Sequence, residues 1–167
     1  MSAEGDQDGR TRMRIVPLTL RAANDFVEAH HRHSARTSND GGKFAIGMEW
    51  GGALVGVAIV GRPVARLLHQ PGTAEILRLC ASPAAPRNTC SKLYGRAKRI
   101  WQLMGGDRVV TYTLEAESGA SLRAAGFVIE QRVRGRTWDT PTRRRAPRAS
   151  EQLDKTRWGS VLPEVPA

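Results

Sequence analysis

The chain has 167 residues, of which 40% are hydrophobic and 25% charged, so one domain with a buried core is expected and a disordered or fibrous chain is excluded. Its 26 basic residues outnumber its 16 acidic ones, which gives a formal net charge of +10 and favours association with polyanions such as nucleic acid. No apolar run is long enough to cross a membrane, and the polar start of the chain lacks the apolar stretch of a secretion signal, so we expect a cytoplasmic protein.

The first predicted elements are a strand and a helix. Residues 1–12 are rich in Gly, Asp and Arg without apolar periodicity, which predicts a disordered lead. The apolar run that starts at Met13 predicts a short strand that ends near Pro17. Thr19 is a candidate N-cap, and the apolar residues that follow it at helical spacing predict a helix as far as His30.

The next predicted element is a β-hairpin. Apolar runs at 43–50 and 53–61 are separated by Gly51-Gly52, and two glycines between such runs are typical of a two-residue hairpin turn. Both faces of the second run are apolar, which is typical of a strand that is covered on both sides. This strand is therefore predicted to lie in the middle of a sheet with helices on both faces.

The second half of the chain alternates strands with helices. The strand 73–81 leads through a loop with two prolines into a basic amphipathic helix, which ends at Gly105-Gly106. The remaining predicted elements are the strand 108–116, the short helix 118–126 with Gly126 as its C-cap, and the strand 127–133. Hairpin strands in the first half and this alternation in the second predict a mixed sheet with helices on both faces.

Two of these segments resemble the GNAT superfamily of N-acyltransferases. The stretch "SGASLRAAGFVIEQ" resembles the short helix of that fold that ends in Gly-Phe and leads to the penultimate strand. The stretch "EILRLCASPAAPRNTCSKLYGRA" is similar to the acyl-CoA strand, the pyrophosphate loop and the helix after it. The resemblance implies an α/β (α+β) fold with a mixed, mostly antiparallel central sheet of six to seven strands and helices on both faces. It assigns residues 13–140 to an acyltransferase domain and leaves residues 141–167 as a basic, proline-containing C-terminal tail.

The loop and helix start at residues 82–91 have the features of a diphosphate-binding site. The first turn of a helix presents free backbone N–H groups and the positive end of the helix dipole. Pro83 and Pro86 stiffen the approach, and Arg87 offers a planar charged group. The residues alone fit an ordinary capped surface helix as well. The resemblance implies that acetyl-CoA or another acyl-CoA is the cofactor and that it is bound by Leu79, Cys80, Arg87, Asn88, Thr89, Cys90 and Ser91.

This loop departs from the glycine-rich pattern of the superfamily. Cys90 and Lys92 stand where GNAT loops usually have glycine or alanine, and a side chain there obstructs close approach of a phosphate to the backbone. Either side chains such as those of Asn88, Thr89 and Ser91 bind the cofactor, or cofactor binding is weakened or lost. The "Pro-Arg-Asn-x-x-Ser" form resembles a divergent phage and bacterial branch that includes Mom-type DNA-modification proteins.

Candidate catalytic residues follow from the reaction that the resemblance implies. Direct attack of an amine on the thioester requires a base, a polarised carbonyl and an acid for the leaving thiolate. Glu75 on the cofactor strand and Glu115 at the end of the next strand are candidate bases, and each also fits a solvated charge at a strand end. His33, in the stretch "AHHRHS", is a further candidate base near neutral pH. The tyrosine that serves as acid in many members is absent from residues 118–125, so Ser118 or water is the candidate acid.

Arginines supply the candidate phosphate-binding groups. Arg62 and Arg66 follow the central strand and suit a phosphate or carboxylate on the acceptor, or equally a solvated loop. Residues 132–148, which include Arg136, hold seven arginines and one acid, and such a cluster fits either a polyanion or a solvated tail. No metal site is expected, because the histidines lack a third ligand at suitable spacing, and the two cysteines are expected to be reduced thiols.

Three functions from different classes fit the sequence. The first is an acyl-CoA-dependent N-acyltransferase with an unidentified amine acceptor, and the order of the segments favours it. The second is a Mom-like enzyme on the same fold that modifies bases in DNA. The third is a basic nucleic-acid-binding module that keeps the fold without the activity, which the missing glycines and tyrosine favour.

Overall fold

The structure is a computed structural model that describes residues 12–30, 37, 41–135 and 153–165. Seven strands form one sheet in the order β1-β2-β3-β4-β5-β7-β6. The strands are β1 (Arg14–Leu18), β2 (Gly42–Trp50), β3 (Ala53–Gly61), β4 (Thr73–Ala81), β5 (Arg108–Leu114), β6 (Val128–Val133) and β7 (Lys155–Val161). The helices are α1 (Leu20–His30), α2 (Thr89–Leu103) and α3 (Ala120–Ala124), with a 3-10 turn at Arg66–Leu68.

The sheet is mixed and mostly antiparallel. Only β4 and β5 are parallel, and all other neighbouring strands are antiparallel. β3 lies between β2 and β4 and is buried along most of its length, as its apolar residues on both faces predict. These features confirm the predicted fold class.

Helices cover both faces of the sheet, and an apolar cluster lies beneath each layer. One cluster, called the α1-side cluster, contains Ala23, Phe26 and Val27 of α1 with Val57 and Ile59 of β3. Successive side chains of a strand point to opposite faces, so the residues between these two face the other cluster. That second cluster, called the α2-side cluster, lies under α2 and α3, whose contributions to it are Leu93, Tyr94, Ala97, Trp101 and Leu122. The two faces of the sheet are therefore covered by different helices, α1 on one face and α2 with α3 on the other.

Two local signals of the sequence are confirmed. Thr19 Oγ1 accepts a hydrogen bond from the Ala22 N–H at 3.1 Å, as expected of the N-cap of α1. Gly51 and Gly52 both have positive φ between β2 and β3. None of the helices in the described part of the chain is long and apolar enough to cross a membrane.

The main correction to the sequence prediction is β7, which lies within the stretch predicted to be a C-terminal tail. β7 is inserted between β5 and β6 and pairs with both. Its buried inward side chains are Thr156, Trp158 and Ser160, so the strand lacks the apolar alternation by which a half-buried strand is recognised. Trp158 Nε1 donates a hydrogen bond to Thr113 Oγ1 of β5 at 3.0 Å. The folded domain thus extends at least to Val161, while the predicted lead before Arg12 and positions 136–152 lie outside the described residues.

The start of α3 depends on a glycine with no room for a side chain. Gly119 has a φ of 64, and a Cβ on it would lie 2.2 Å from Trp158 Cζ2. Gly105, which follows α2, also has positive φ, at 89, but a Cβ there would meet nothing within 4 Å. The two glycines therefore separate the cost of the backbone conformation from the cost of the contact.

We expect Gly119→Ala to lower the free energy of unfolding by roughly 3 kcal/mol, because a left-handed conformation and the overlap with the buried indole each cost on the order of 1–2 kcal/mol. Gly105→Ala is the matched control, with an expected loss of about 1 kcal/mol from the backbone alone. Urea unfolding of both variants measures the difference. Equal losses in the free energy of unfolding would mean that the close approach of Trp158 to residue 119 adds nothing to the cost of a side chain there.

Candidate functional site

β4 and β5 separate from each other part-way along their length. Their last paired residues are Glu75 and Val110, although β4 continues to Ala81. Where the pairing stops, Thr111 Oγ1 donates a hydrogen bond to the Ile76 carbonyl oxygen at 2.9 Å. Beyond this point, none of the described strands pairs with this edge of β4. The sheet therefore has a gap that is lined on one side by backbone groups of β4.

A β-bulge lies beside this gap. On the side that faces β3, Ile59 pairs with Arg78 and Val60 pairs with Ile76, so Leu77 is an extra residue of β4. A bulge of this kind bends its strand and increases the local twist. Its position matches the point at which β4 and β5 part.

A cleft of about 490 Å³ opens at the C-terminal end of β4. The loop after β4 and the first turn of α2 form one wall, and α3 forms the other. Its lining residues are Ala81, Ser82, Ala85, Pro86, Arg87, Asn88, Thr89, Cys90, Ser91, Ala120, Ser121 and Ala124. All five predicted cofactor residues at 87–91 are among them. Leu79 and Cys80 are not: Leu79 packs against the α2-side cluster, and Cys80 is buried in the α1-side cluster.

The loop enters α2 through a residue in the left-handed conformation, Asn88. Its φ of 69 is the one positive value outside glycine in the described part of the chain. The buried Thr89 donates a hydrogen bond from its hydroxyl to the Pro86 carbonyl oxygen at 2.7 Å, and Ser91 Oγ donates to the Asn88 carbonyl oxygen at 3.0 Å. Both hydroxyls thereby hold the turn in place. The N–H groups of Cys90 and Ser91 lie in the first turn, where a helix has no acceptors of its own to offer.

The electrostatics of this wall favour an anion. Arg87 is exposed at the cleft, and the first turn of α2 has no acidic residue. Burial raises the pKa of the Cys90 thiol, so this side chain is neutral and adds no negative charge. Cys90 and Lys92, which stand at the glycine positions of the GNAT pattern, lie within α2, and the left-handed residue of the loop is Asn88 instead. The turn is thus made without glycine.

The opposite wall of the cleft is held in place by Lys98 of α2. Its Nζ donates a hydrogen bond to the Ala125 carbonyl oxygen at 2.7 Å and lies 5.0 Å from the centre of the Phe127 ring. Burial lowers the pKa of Lys98. Arg123 donates a hydrogen bond to the Ser118 carbonyl oxygen at the other end of α3. The C-terminal end of this short helix is therefore attached to α2, and its own Arg123 binds the turn that precedes it.

Glu75 is a buried carboxylate where the gap between β4 and β5 begins. Its Oε2 accepts a hydrogen bond from the Val64 N–H at 2.8 Å. Burial raises the pKa of Glu75 to about 7, against the opposing effects of the Val64 hydrogen bond and of the charges on Arg78 and Lys155. The adjacent Ile76 faces the α2-side cluster, so Glu75 points to the other face of the sheet. The chain thus has a carboxylate that titrates near neutral pH on the side opposite the cleft.

Further polar groups lie on the same face as Glu75. Tyr112 is two residues beyond Val110, the partner of Glu75, so its side chain points the same way. Burial and, to a smaller extent, the charge of Glu75 raise the pKa of Tyr112. Arg157 is paired with Tyr112 across β5 and β7, and its Nε lies 3.0 Å from a carboxylate oxygen of Glu130. On this face of the sheet, the region beneath α1 is apolar, whereas the region around Glu75, Tyr112 and Arg157 is polar.

The other candidate base and acid residues lie elsewhere. Glu115 is exposed after the end of β5, and its carboxylate forms an ion pair with Arg132 at 2.7 Å. Ser118 precedes α3 and is not among the residues that line the cleft, whereas Ser121 is. His33 lies outside the described residues.

The candidate phosphate-binding arginines also lie away from the cleft. Arg62 and Arg66 are exposed on the loop between β3 and β4. The same loop provides the Val64 N–H that binds Glu75. Arg136 lies outside the described residues. The loop arginines are therefore neighbours of the Glu75 face in sequence and in structure.

Sequence reasoning did not assign Ala120, Ser121 and Ala124 to the cleft. Small residues at positions i, i+1 and i+4 of a short helix indicate that one of its faces leaves space. The element that faces them depends on tertiary packing, which the sequence pattern does not contain. Among the described residues, no three His, Cys, Asp or Glu side chains come close enough together to hold a metal ion.

Comparison with known proteins gives matches at the level of structure. Neither a family model nor a curated protein matches the sequence. The ribosomal-protein-S18-alanine N-acetyltransferase of Escherichia coli matches with a TM-score of 0.65 and 12% identity over 93% of this chain and 97% of that one. A GNAT-family acetyltransferase of Streptococcus pneumoniae matches with a TM-score of 0.63 and 11% identity over 91% and 100%. The Salmonella typhimurium protein yncA, solved with its cofactor acetyl-CoA, matches with a TM-score of 0.63 and 19% identity over 93% and 96%.

These likenesses extend over nearly the full length of both partners in each comparison. At identities of 11–19% they establish the fold and no more. They give no support to the resemblance to the Mom-type branch. The chain has the fold of the GNAT acetyltransferases.

Proposed function

We propose that the protein is an acyl-CoA-dependent N-acyltransferase that moves an acyl group, most simply acetyl, to an amine. The observation that carries the proposal is a cationic cleft at one end of the unpaired edge of β4 and a buried carboxylate at its other end. Ala81 at the cleft and Glu75 are about 20 Å apart along the strand, at ~3.3 Å per residue. A cofactor with an anionic head and a long extended arm fits this arrangement. Acyl-CoA has that shape, and the structural neighbour solved with acetyl-CoA supports the choice.

The cleft would hold the diphosphate of the cofactor. Arg87 offers charge, and the N–H groups of Cys90 and Ser91 offer hydrogen bonds at the positive end of the α2 dipole. The Asn88 side chain makes no capping bond to α2, so its amide remains for the ligand. Side chains and free N–H groups together take the place of a glycine-rich loop in this proposal.

The unpaired edge of β4 would hold the arm of the cofactor. An extended chain with amide groups adds to an exposed sheet edge by backbone hydrogen bonds. Leu79 and Cys80 would act here through their backbone groups, since their side chains are directed into the two apolar clusters. A backbone N–H near the bulge would polarise the thioester carbonyl, which stabilises the negative charge that develops on its oxygen.

Glu75 is the proposed general base. The amine nitrogen attacks the thioester carbonyl carbon, the new C–N bond forms as the C–S bond breaks, and the cofactor leaves as a thiolate. The carboxylate of Glu75 takes the proton from the amine, directly or through one water, and a proton from solvent restores the thiol. A base with a pKa near 7 is well matched to this task at neutral pH. Ser121 lines the cleft that would hold the diphosphate, so the proton for the thiolate comes from water rather than from this serine.

The acceptor would approach from the face that carries Glu75. Arg62 and Arg66 on the adjoining loop suit an acceptor that bears a carboxylate or phosphate near its amine. His33 stays a sequence-based prediction of a base, and Arg136 stays one of a phosphate-binding group.

A second candidate function is binding of nucleic acid without catalysis. The observation that favours it is the Cys90 side chain, which occupies space in the cleft where superfamily members usually have glycine. α3, in which Leu122 is buried, likewise contains no tyrosine that could act as the acid. Modification of DNA bases stays a prediction of the sequence. Cofactor binding distinguishes the first candidate from the second.

Acetyl-CoA should stabilise the protein against thermal unfolding, by about 2.7 kcal/mol at a concentration about a hundred times the dissociation constant. Arg87→Ala should weaken this stabilisation, because it removes the charged group at the cleft. Differential scanning fluorimetry over a series of acetyl-CoA concentrations measures the effect. Arg21→Ala, an exposed arginine of α1 on the opposite face, is the matched control and should respond like the wild type. No stabilisation of any of the three proteins would contradict the acyltransferase proposal.

The pH dependence of the reaction tests the role of Glu75. Because the base must be ionised, kcat/KM should rise with pH up to about 7 and then level off. Glu75→Gln should lower kcat/KM by roughly 10²–10⁴-fold and remove this dependence. Glu49→Gln, at a surface ion pair with Arg14, is the control and should leave the rate unchanged. A larger loss of kcat/KM from Glu115→Gln than from Glu75→Gln would contradict the assignment of Glu75 as the base.

The same carboxylate should make stability depend on pH in the opposite sense. Its raised pKa means that the folded state binds the proton more tightly than the unfolded state. The contribution of protonated Glu75 to the free energy of unfolding is therefore complete below about pH 4.5, and it is lost as the pH rises to about 7. Unfolding of Glu75→Gln over this window should lack the fall, and an unchanged profile would show that the buried carboxylate is not the cause.

A further inference from the structure

α2 carries a cationic stripe that neither the cleft nor the core uses. The helix has no acidic residue among its 15 residues. Lys92, Arg96 and Arg99 are all exposed and follow one another at spacings of four and three, which places them on one face of the helix. We call these three residues the α2 stripe.

The charges of the α2 stripe are not neutralised within the described part of the chain. No carboxylate there pairs with any of the three side chains, and the one polar contact of the group joins Arg99 to Gln102 Oε1 at 2.8 Å. By contrast, Lys98 on the same helix is half-buried and bound to the Ala125 carbonyl oxygen. The α2 stripe is thus a set of cations held on a rigid element, and none of the described carboxylates pairs with them.

The spacing of the α2 stripe matches the phosphates of a nucleic acid. From Lys92 to Arg99 the helix rises about 10 Å, at ~1.5 Å per residue. A run of four successive phosphates of one strand spans about 10 Å of the duplex axis, at ~3.4 Å per step, so the three cations cover the length of such a run. The formal net charge of +10 adds a long-range attraction to such a partner.

An anionic membrane is a poorer match than a nucleic acid. A helix that binds a membrane surface inserts its apolar face into the lipid boundary. The apolar face of α2 is already packed against the sheet through Leu93, Ala97 and Trp101. What remains for a partner is charge, with exposed apolar side chains confined to the C-terminal end at Leu103 and Met104.

We propose that the α2 stripe is a binding surface for the phosphate backbone of nucleic acid. It goes beyond the acyltransferase proposal, because the α2 stripe lies on the cleft side of the sheet and Glu75 faces the other side. A bound nucleic acid therefore sits apart from the acceptor site. Contacts to phosphates alone carry no sequence information, so binding is independent of base sequence.

The test is the salt dependence of binding to a short fluorescent DNA duplex, measured by anisotropy across a series of NaCl concentrations. The variant Lys92→Gln/Arg96→Gln/Arg99→Gln should lower the slope of log K against log salt by about 2.7, at ~0.9 per phosphate contact. The control variant Arg14→Gln/Arg21→Glu loses the same three units of charge from exposed positions on β1 and α1 and should keep the wild-type slope. Both variants retain the arginines of residues 132–148, so these cannot account for a difference between them.

Several results would overturn the proposal. Equal slopes for the two variants would mean that net charge, not this surface, drives association. A two-fold or larger preference between duplexes of unrelated sequence would indicate base contacts, and stronger stripe-dependent binding to phosphatidylserine vesicles than to DNA would indicate a membrane. Loss of acetyl-CoA stabilisation in the stripe variant, with DNA binding intact, would assign these residues to the cofactor instead. Absence of acetyl-CoA binding in the wild type contradicts the acyltransferase proposal but leaves this one standing.

Discussion

The early end of pairing between β4 and β5 is the constraint on which the site depends. A parallel pair needs a crossover, and α2 provides it, so the first turn of this helix must lie at the C-terminal end of β4. Ligands of sheets with parallel strands bind at that end for the same reason. Because the two strands also diverge there, backbone groups of β4 are left without a sheet partner. Thr111 Oγ1 satisfies the Ile76 carbonyl, and the Arg78 side chain donates to the Leu77 carbonyl. The backbone groups on this edge that have no partner strand line the gap, where a ligand with amide groups can meet them.

The burial of Glu75 follows from this geometry and is not favourable for the fold itself. A buried carboxylate is costly unless it is well hydrogen-bonded, and Glu75 has one backbone donor, the Val64 N–H. The raised pKa is the measure of that incomplete compensation. An apolar residue at this position would pack more favourably beside Val110. A group that lowers stability at neutral pH and lies where the strands part is a stronger functional candidate than an exposed carboxylate such as Glu115, which is already paired with Arg132.

Sequence patterns predicted most of the fold because most elements carry their own signal. Alternation, capping by Thr19 and the two hairpin glycines are local, and each was sufficient to locate its element. β7 was missed because Thr156 and Ser160 flank Trp158 on its buried face, so burial there follows from neighbouring strands and not from apolar residues. One wall of the cleft was predicted, because residues 87–91 have a recognisable composition. The facing wall, α3, was not, because it is positioned by contacts with Lys98 and Trp158, two residues remote from it in sequence.

The faces of α2 divide its roles in a way that its helical period makes possible. One face packs into the core, the first turn lines the cleft, and the exposed face carries the α2 stripe. Lys98 lies between these faces and fixes the opposite wall of the cleft, which explains why this one lysine of the helix is not available to a partner. Glycines in the first turn would lower the helix propensity of that turn, which begins the crossover. Placing the left-handed conformation on Asn88, ahead of the helix, leaves α2 intact from its first residue. The departure from the glycine-rich pattern is therefore consistent with a helix that serves as a rigid support for charge along its length.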